Sequence, residues 1–173
     1  MYSSAFADYK VGDGYLCLSS EHSPWISTTD YYDTSERVTE AYGLLEKSGL
    51  LGKLENIVPR PATQEELTSF HSTEYIEKLK NLSGGEGGIV GELCRIGHGG
   101  LNVISQAVGG DLAALDEVMA RHVDNAFCLQ RPPGAHAERE QGFGFCVVNN
   151  FNILVNRARE KYGLKKNNDY RLR

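Results

Sequence analysis

The stretch VDNAFCLQRPPGAHAE, residues 123–138, says more about the fold than any other part of this chain. Its apolar run at 126–129 is of the kind that forms a buried strand in a parallel sheet. The Pro-Pro-Gly sequence at 132–134 then ends that strand, because prolines lack a backbone donor and glycine allows a sharp turn. Ligands of open α/β sheets bind beyond the carboxyl ends of the strands. The loop that carries His136 is therefore predicted to lie at a functional edge of the sheet.

Helices are predicted on both sides of this strand, because apolar residues recur there at intervals of three or four. The strongest pattern runs over 101–119, and another runs from Phe151 to a stop near Gly163. Earlier in the chain, Thr63-Gln64-Glu65-Glu66 has the form of a capping box, in which the Thr hydroxyl and a Glu carboxylate satisfy free N–H groups at a helix start. Ser72 is expected to cap a further helix, whose inward side chains are Tyr75, Ile76 and Leu79.

The remaining segments give weaker signals. Residues 1–33 are expected to be irregular, with at most one short strand near 15–18. Asp33 or Thr34 is expected to cap a helix that ends at Gly49, and its inward side chains are Val38, Ala41, Tyr42 and Leu45. A short strand is predicted over 54–59, and the glycine-rich segment 81–100 is predicted to be a long loop. Strands that alternate with helices favour an α/β fold with a parallel sheet flanked by helices.

Composition narrows the class of protein. The chain has 173 residues, 40% of them hydrophobic and 24% charged, which suits a globular domain or part of one. A net charge of −5 without a basic cluster argues against a nucleic-acid partner. We expect a cytoplasmic protein with no membrane partner, since no stretch approaches 18 apolar residues and no leader pattern is present. The four cysteines show no CxxC spacing, and we expect reduced thiols.

Two motifs resemble the active-site segment of the histone deacetylase superfamily: RPPGAHAE at 131–138 and GFGFCVVNN at 142–150. The similarity is greatest to the class II and bacterial amidohydrolase branches, including relatives of acetylpolyamine amidohydrolase, and it covers most of 33–164. The resemblance implies the N-terminal portion of the arginase/deacetylase fold, incomplete in this chain. As domain organisation we expect an irregular segment 1–33, a family-like segment 34–164 and an off-pattern tail 165–173.

The resemblance also implies a reaction and residue roles. Members of the family are zinc-dependent amidohydrolases that remove acyl groups from acetyl-lysine, as in histones, or from acetylpolyamines. His136 matches the second of two adjacent family histidines, the general base and acid. Gly144 and Phe145 match a wall of the narrow channel that binds the acyl group.

At two points the chain departs from the family pattern. Ala135 stands where the first histidine belongs, and losing a positioned acid–base group costs about 10²–10⁴-fold in rate. The family's zinc ligands, an Asp-x-His and a later Asp, and its tyrosine have no match here. His22, His71, His98 and His122 are interpreted as surface or core histidines, so no metal ligand is assigned. We therefore expect this chain to be a fragment that binds no active-site zinc and is inactive alone.

The tail suggests a hypothesis for the missing zinc ligands. In the family, the residues that match 162–166 lead into an apolar strand, whereas residues 167–173, NNDYRLR, are too polar for a central strand. One choice of codons for this heptapeptide, read one base later, encodes Ile-Met-Ile-Ile-Asp-Tyr followed by Asp or Glu. Such a peptide is an apolar strand that ends in acidic residues. We hypothesise a one-base insertion near Lys166 that shifted the reading frame; it does not account for Ala135.

Other readings stay open beside the inactive fragment. The chain could be a pseudo-deacetylase that binds acyl-lysine or a protein partner through His136, Gly144 and Phe145. A separate chain could instead supply the missing ligands and complete the fold. An unpaired sheet edge would also favour self-association.

Overall fold

The computed structural model describes residues 1–11 and 33–165 of the chain. Within them, helices surround a small three-stranded sheet, which makes the unit an α/β fold, as predicted. The helices are α1 (Glu36–Lys47), α2 (Gln64–Thr68), α3 (Thr73–Gly84), α4 (Gly100–Met119) and α5 (Asn150–Tyr162), and the strands are β1 (Gly88–Glu92), β2 (Cys94–Ile96) and β3 (Gly142–Phe143). Short 3-10 turns lie at Ser4–Phe6 and Leu51–Lys53.

Helix ends follow the capping signals in the sequence. Thr63 accepts from the Glu66 N–H while the Glu66 carboxylate accepts from the Thr63 N–H, so the predicted capping box is present at α2. Ser72 caps α3 through the Tyr75 N–H, also as predicted. Gly49 and Gly163 adopt the left-handed conformation, with φ of 69° and 67°, where α1 and α5 were predicted to stop.

One main core joins the helices to the sheet. Helix α4, the longest in the described residues, contributes a buried apolar stripe at the predicted spacing, and α3, β1, β2 and α5 pack around it. The central side chains, all at most 2% exposed, include Ile76, Leu79, Val90, Ile96, Ile104, Val108, Leu112, Val147 and Ile153. No helix among residues 1–11 and 33–165 is both long and apolar enough to cross a bilayer.

The sheet differs from the prediction in where its strands lie. Segment 81–100 was predicted to be a loop, but it contains the end of α3, then β1 and β2. Its glycines serve close packing: a Cβ at Gly91 would overlap the carbonyl oxygen of Gly142 on the neighbouring strand. Strands β1 and β2 pair antiparallel, and β1 pairs with β3 in parallel over only two residue pairs. The sheet is therefore mixed, and Gly91 lies where two strand backbones approach each other closely.

Two predicted strands do not form in the described part of the chain. Residues 54–59 and 126–129 run without regular structure, and Val58 and Phe127 are 74% and 71% exposed. Met1 binds the second segment: its amino group donates to the Phe127 carbonyl, and its carbonyl accepts from the Leu129 N–H. An apolar run becomes a strand only beside a partner strand, and none lies next to it among the described residues.

The start of α1 is another correction. The N-cap is Ser35, with no side-chain capping bond, whereas Asp33 or Thr34 had been expected to cap. Asp33 instead turns inward and binds Arg131, which explains why it is not available to the helix. The predicted short strand near 15–18 and the tail 166–173 lie outside the described residues.

Candidate active-site loop

The loop that follows residues 126–129 is anchored at its start by Arg131. Its side chain is 5% exposed, and its Nε donates to Oδ2 of Asp33 at 3.0 Å. Nη2 donates to the Asp33 carbonyl at 2.6 Å, and Nη1 donates to the Tyr9 carbonyl at 3.0 Å. The guanidinium also lies 5.2 Å from the centre of the Tyr9 ring. Burial raises the pKa of Asp33, and the charge of Arg131 opposes that rise.

A buried polar cluster supports the next part of the loop. Asn150 packs so closely on Gly134 that any Cβ there would overlap its side chain, and the Gly134 carbonyl accepts from the Phe151 N–H at 3.1 Å. The Asn150 amide donates to Oδ2 of Asp111 at 3.0 Å, and Gln130 donates to the same oxygen at 2.7 Å. Burial raises the pKa of the Asp111 carboxyl, and these two hydrogen bonds oppose the rise.

The backbone around His136 is held by Asn149 and Cys146. The Asn149 side-chain amide donates to the Ala135 carbonyl at 3.3 Å and to the Ala137 carbonyl at 2.7 Å. Its oxygen accepts from the Asn152 N–H at 3.0 Å and so caps α5. The Ala135 N–H donates to the Cys146 sulfur at 3.3 Å. Peptide groups on both sides of His136 are therefore fixed by buried residues, while the His136 side chain itself is exposed.

A tight turn brings Gly144 and Phe145 to the same place. Phe143 and Cys146 exchange both backbone hydrogen bonds, at 3.0 and 2.9 Å, across two residues with φ of 53° and 71°. Positive φ at both central positions is the mark of a type I′ turn. The β1–β2 connection holds this turn, because the Phe145 N–H donates to the Leu93 carbonyl at 3.0 Å.

The structure thus gathers the residues singled out in the sequence. A Cβ built on Gly144 would lie 3.6 Å from Cδ2 of His136, so the imidazole packs over this glycine. Phe145, the next residue, is half-buried, and Ala135 is exposed beside His136. The arrangement places an imidazole, the side chain most often used in general acid–base catalysis, over the glycine that precedes Phe145.

The residues that the structure describes do not form a zinc site. A catalytic zinc ion needs three protein ligands from His, Cys, Asp or Glu. Over 1–11 and 33–165, no three such side chains come together in a group that could hold a metal ion. The described cysteines, Cys94, Cys128 and Cys146, are free thiols, and burial raises the pKa of Cys128 to about 12.

Three supporting residues escaped the sequence analysis. Asp111 lies in the helix predicted over 101–119 and was assigned no role there, but it is 6% exposed and lies beneath the loop. Asn149 and Asn150 were noted only as part of a motif. Two adjacent asparagines directly before a helical pattern could have signalled a cap, because Asn is favoured there. Nothing in the local sequence signals that Asp111 is buried.

Most of this chain is similar in sequence to known proteins. The family model described as "Histone deacetylase domain" matches residues 31–167. A "Histone deacetylase-like amidohydrolase" of Pseudomonas aeruginosa is 37% identical over 71% of this chain and 32% of its own length. A "Polyamine deacetylase HDAC10" of Danio rerio is 32% identical over 82% of this chain and 22% of its own length. This chain therefore spans about a third or less of these two relatives.

A solved structure supports the same fold. The crystal structure of the HDA15 HD domain superposes with a TM-score of 0.74 at 22% sequence identity, over 79% of this chain and 39% of that one. The family match extends from residue 31 to residue 167 and so takes in every helix and strand from α1 to α5. On these grounds the chain belongs to the histone deacetylase family.

Proposed function

We propose that this chain provides the N-terminal part of a deacetylase that removes acyl groups from polyamine or lysine amines. The observation that carries the proposal is the position of the His136 imidazole over Gly144, the residue before Phe145. The loop that carries His136 is held there by hydrogen bonds from Asn149. Relatives named as a polyamine deacetylase and as an amidohydrolase support this substrate class. In this role His136 moves the proton, and Phe145 contacts the acyl group.

We also propose that the chain does not hydrolyse amides by itself. Ala135 cannot hydrogen-bond a water or carry charge, and the residues described offer no group of metal ligands. The purified chain is expected to retain no stoichiometric zinc after dialysis, and to show no turnover of an acetyl-lysine peptide or an acetylpolyamine. Ala135→His is expected to leave both results unchanged, because it supplies one imidazole and no metal site. Tight stoichiometric zinc together with turnover would contradict the proposal.

A chimera tests the role of the loop separately. The segment that matches this chain would replace its counterpart in the Pseudomonas relative, once with Ala135 and once with Ala135→His. We expect the Ala135 form to be slower by about 10²–10⁴-fold. Adding His136→Ala to the Ala135→His form should abolish most of its activity. Equal rates for all three chimeras would refute the assignment of His136.

A second candidate function is a binding module for acyl-lysine. The intact arrangement of Gly144, Phe145 and His136 beside Ala135 favours it, since binding needs the channel wall and not the missing acid–base group. Calorimetry with an acetyl-lysine peptide would detect heat that Phe145→Ala removes. No heat at high-micromolar peptide would exclude this function.

A further inference from the structure

The buried imidazole of His71 is linked to the backbone on either side of His136 through Asn149. His71 is 1% exposed, and its Nε2 accepts a hydrogen bond of 2.9 Å from the Asn149 N–H. Since Nε2 accepts, the ring proton of the neutral form lies on Nδ1, which donates to the Arg139 carbonyl at 3.1 Å. The His71 ring therefore binds two residues: Arg139, at the end of the loop, and Asn149, which supports the backbone around His136.

Asn149 transmits this link to His136. Its backbone is bound to His71, and its side chain donates to the carbonyls of Ala135 and Ala137, which flank His136 in sequence. The Asn149 oxygen caps α5, which fixes the direction in which the side-chain NH₂ points. A displacement of the Asn149 backbone would therefore move the two peptide groups that position the His136 imidazole.

We propose that His71 is a positioning residue for His136: neutral His71 holds Asn149 and, through it, the peptides on both sides of His136, and protonation of His71 releases that hold. A protonated Nε2 would place a second donor against the Asn149 N–H, so the bond of 2.9 Å could not persist. The inference rests on the proposed function, which gives the His136 loop its chemical task.

The surroundings of His71 favour its neutral form. The charge of Arg139 acts on the ring, and the titratable neighbour is Tyr75, whose ring centre is 5.3 Å away. Phe70 covers another side at 4.9 Å. Burial lowers the pKa of His71 below its ordinary 6.5, and the charge of Arg139 adds to the lowering, while hydrogen bonds to the backbone of residues 138 and 139 oppose it. The hold is therefore present at neutral pH and is lost in acid.

Nuclear magnetic resonance on the full chain tests the proposal without measuring hydrolysis. The protein would carry His136→Asn, so that the loop contains no imidazole of its own that could give a signal. The His71 ring nitrogens, the Asn149 amide and the carbonyl carbons of Ala135 and Ala137 would be followed as the pH falls. We expect the Nδ1–H tautomer at neutral pH, a His71 midpoint below 6.5, and the same midpoint at the three backbone sites.

His71→Gln is the matched variant, because its amide can donate and accept as the neutral ring does but cannot titrate. In this variant the backbone shifts with pH should disappear while their neutral-pH values stay close to those of the parent. Carbonyls of Ala135 and Ala137 that do not move with His71, or that still titrate in His71→Gln, would overturn the proposal. If His71→Gln fails to fold, unequal midpoints in the His136→Asn protein alone would overturn it. Because no turnover is measured, the deacetylase proposal and this one can fail independently.

Discussion

Replacing Arg131 by methionine should be among the most destabilising single changes in this domain. Methionine fills similar space but removes every hydrogen bond to Asp33 and to the Tyr9 carbonyl. The side chains of the pair are only 5% and 6% exposed, so water cannot replace the lost partner. The Asp33 carboxylate would then be buried without its ion-pair partner.

The magnitude follows from burial. Removing one partner of a buried ion pair costs about 3–5 kcal/mol of the free energy of unfolding. At about 2–4 °C per kcal/mol for a chain of this size, the Tm of Arg131→Met should fall by roughly 6–20 °C. Lys80→Met is the control, because Lys80 and its partner Glu77 are 40% and 49% exposed. An exposed pair contributes about 0–1 kcal/mol, so the control should lose at most roughly 4 °C.

Thermal unfolding followed by circular dichroism measures both variants. Without Arg131 the pKa of Asp33 should rise further, because burial is then opposed only by the charge of Arg37. A carboxyl with a raised pKa favours the folded state at low pH and loses that contribution as the pH rises. The deficit of Arg131→Met should therefore be smaller in acid than at neutral pH. A Tm loss no larger than that of Lys80→Met would refute the reasoning.

Three further predictions concern packing and pH. Gly134→Ala should lower the free energy of unfolding by about 1–3 kcal/mol, because its Cβ would overlap Asn150. Gly43→Ala, in open space on α1, should raise it by about 0.5–1 kcal/mol. Equal Tm values for the two variants would contradict the contact between Gly134 and Asn150. Leu112 is 0% exposed, so Leu112→Ala should lower the free energy of unfolding in urea by about 2–5 kcal/mol. Leu44 is 69% exposed, so Leu44→Ala should change it by no more than about 0.5 kcal/mol. His71 has a lowered pKa, so the unfolded chain binds its proton first and stability should fall as the pH drops below 6.5; a fall of the same size in His71→Gln would show that another group causes it.

Local patterns in the sequence predicted what depends on neighbours along the chain. The capping box at 63–66, the Ser72 cap and the stops at Gly49 and Gly163 all formed, because each is decided within one helical turn. The inward stripe of α4 was also predicted, since a spacing of three and four fixes one face. The motifs at 131–138 and 142–150 indicated the loop and the turn that the structure brings together.

What the sequence could not predict depends on contacts between distant segments. An apolar run at 126–129 has strand character, but a strand also needs a partner, and sequence periodicity does not reveal one. Asp33 looked like a helix cap, and the Arg131 side chain, 98 residues away, binds it instead. The burial of Asp111 could not be predicted, because its partners, Gln130 and Asn150, come from two other segments. A buried polar residue is recognised only once its partners are placed.

Positioning and chemistry are carried by different residues in this loop, and that separation bears on Ala135. The backbone of Ala135 is bound on both sides, by the Cys146 sulfur and by the Asn149 amide, while its side chain is exposed and contributes to neither bond. Replacing a histidine by alanine at such a position removes an acid–base group but leaves the loop supported. The conformation that presents His136 therefore does not need a histidine at position 135, because Arg131, Asn149 and His71 hold the backbone without using that side chain.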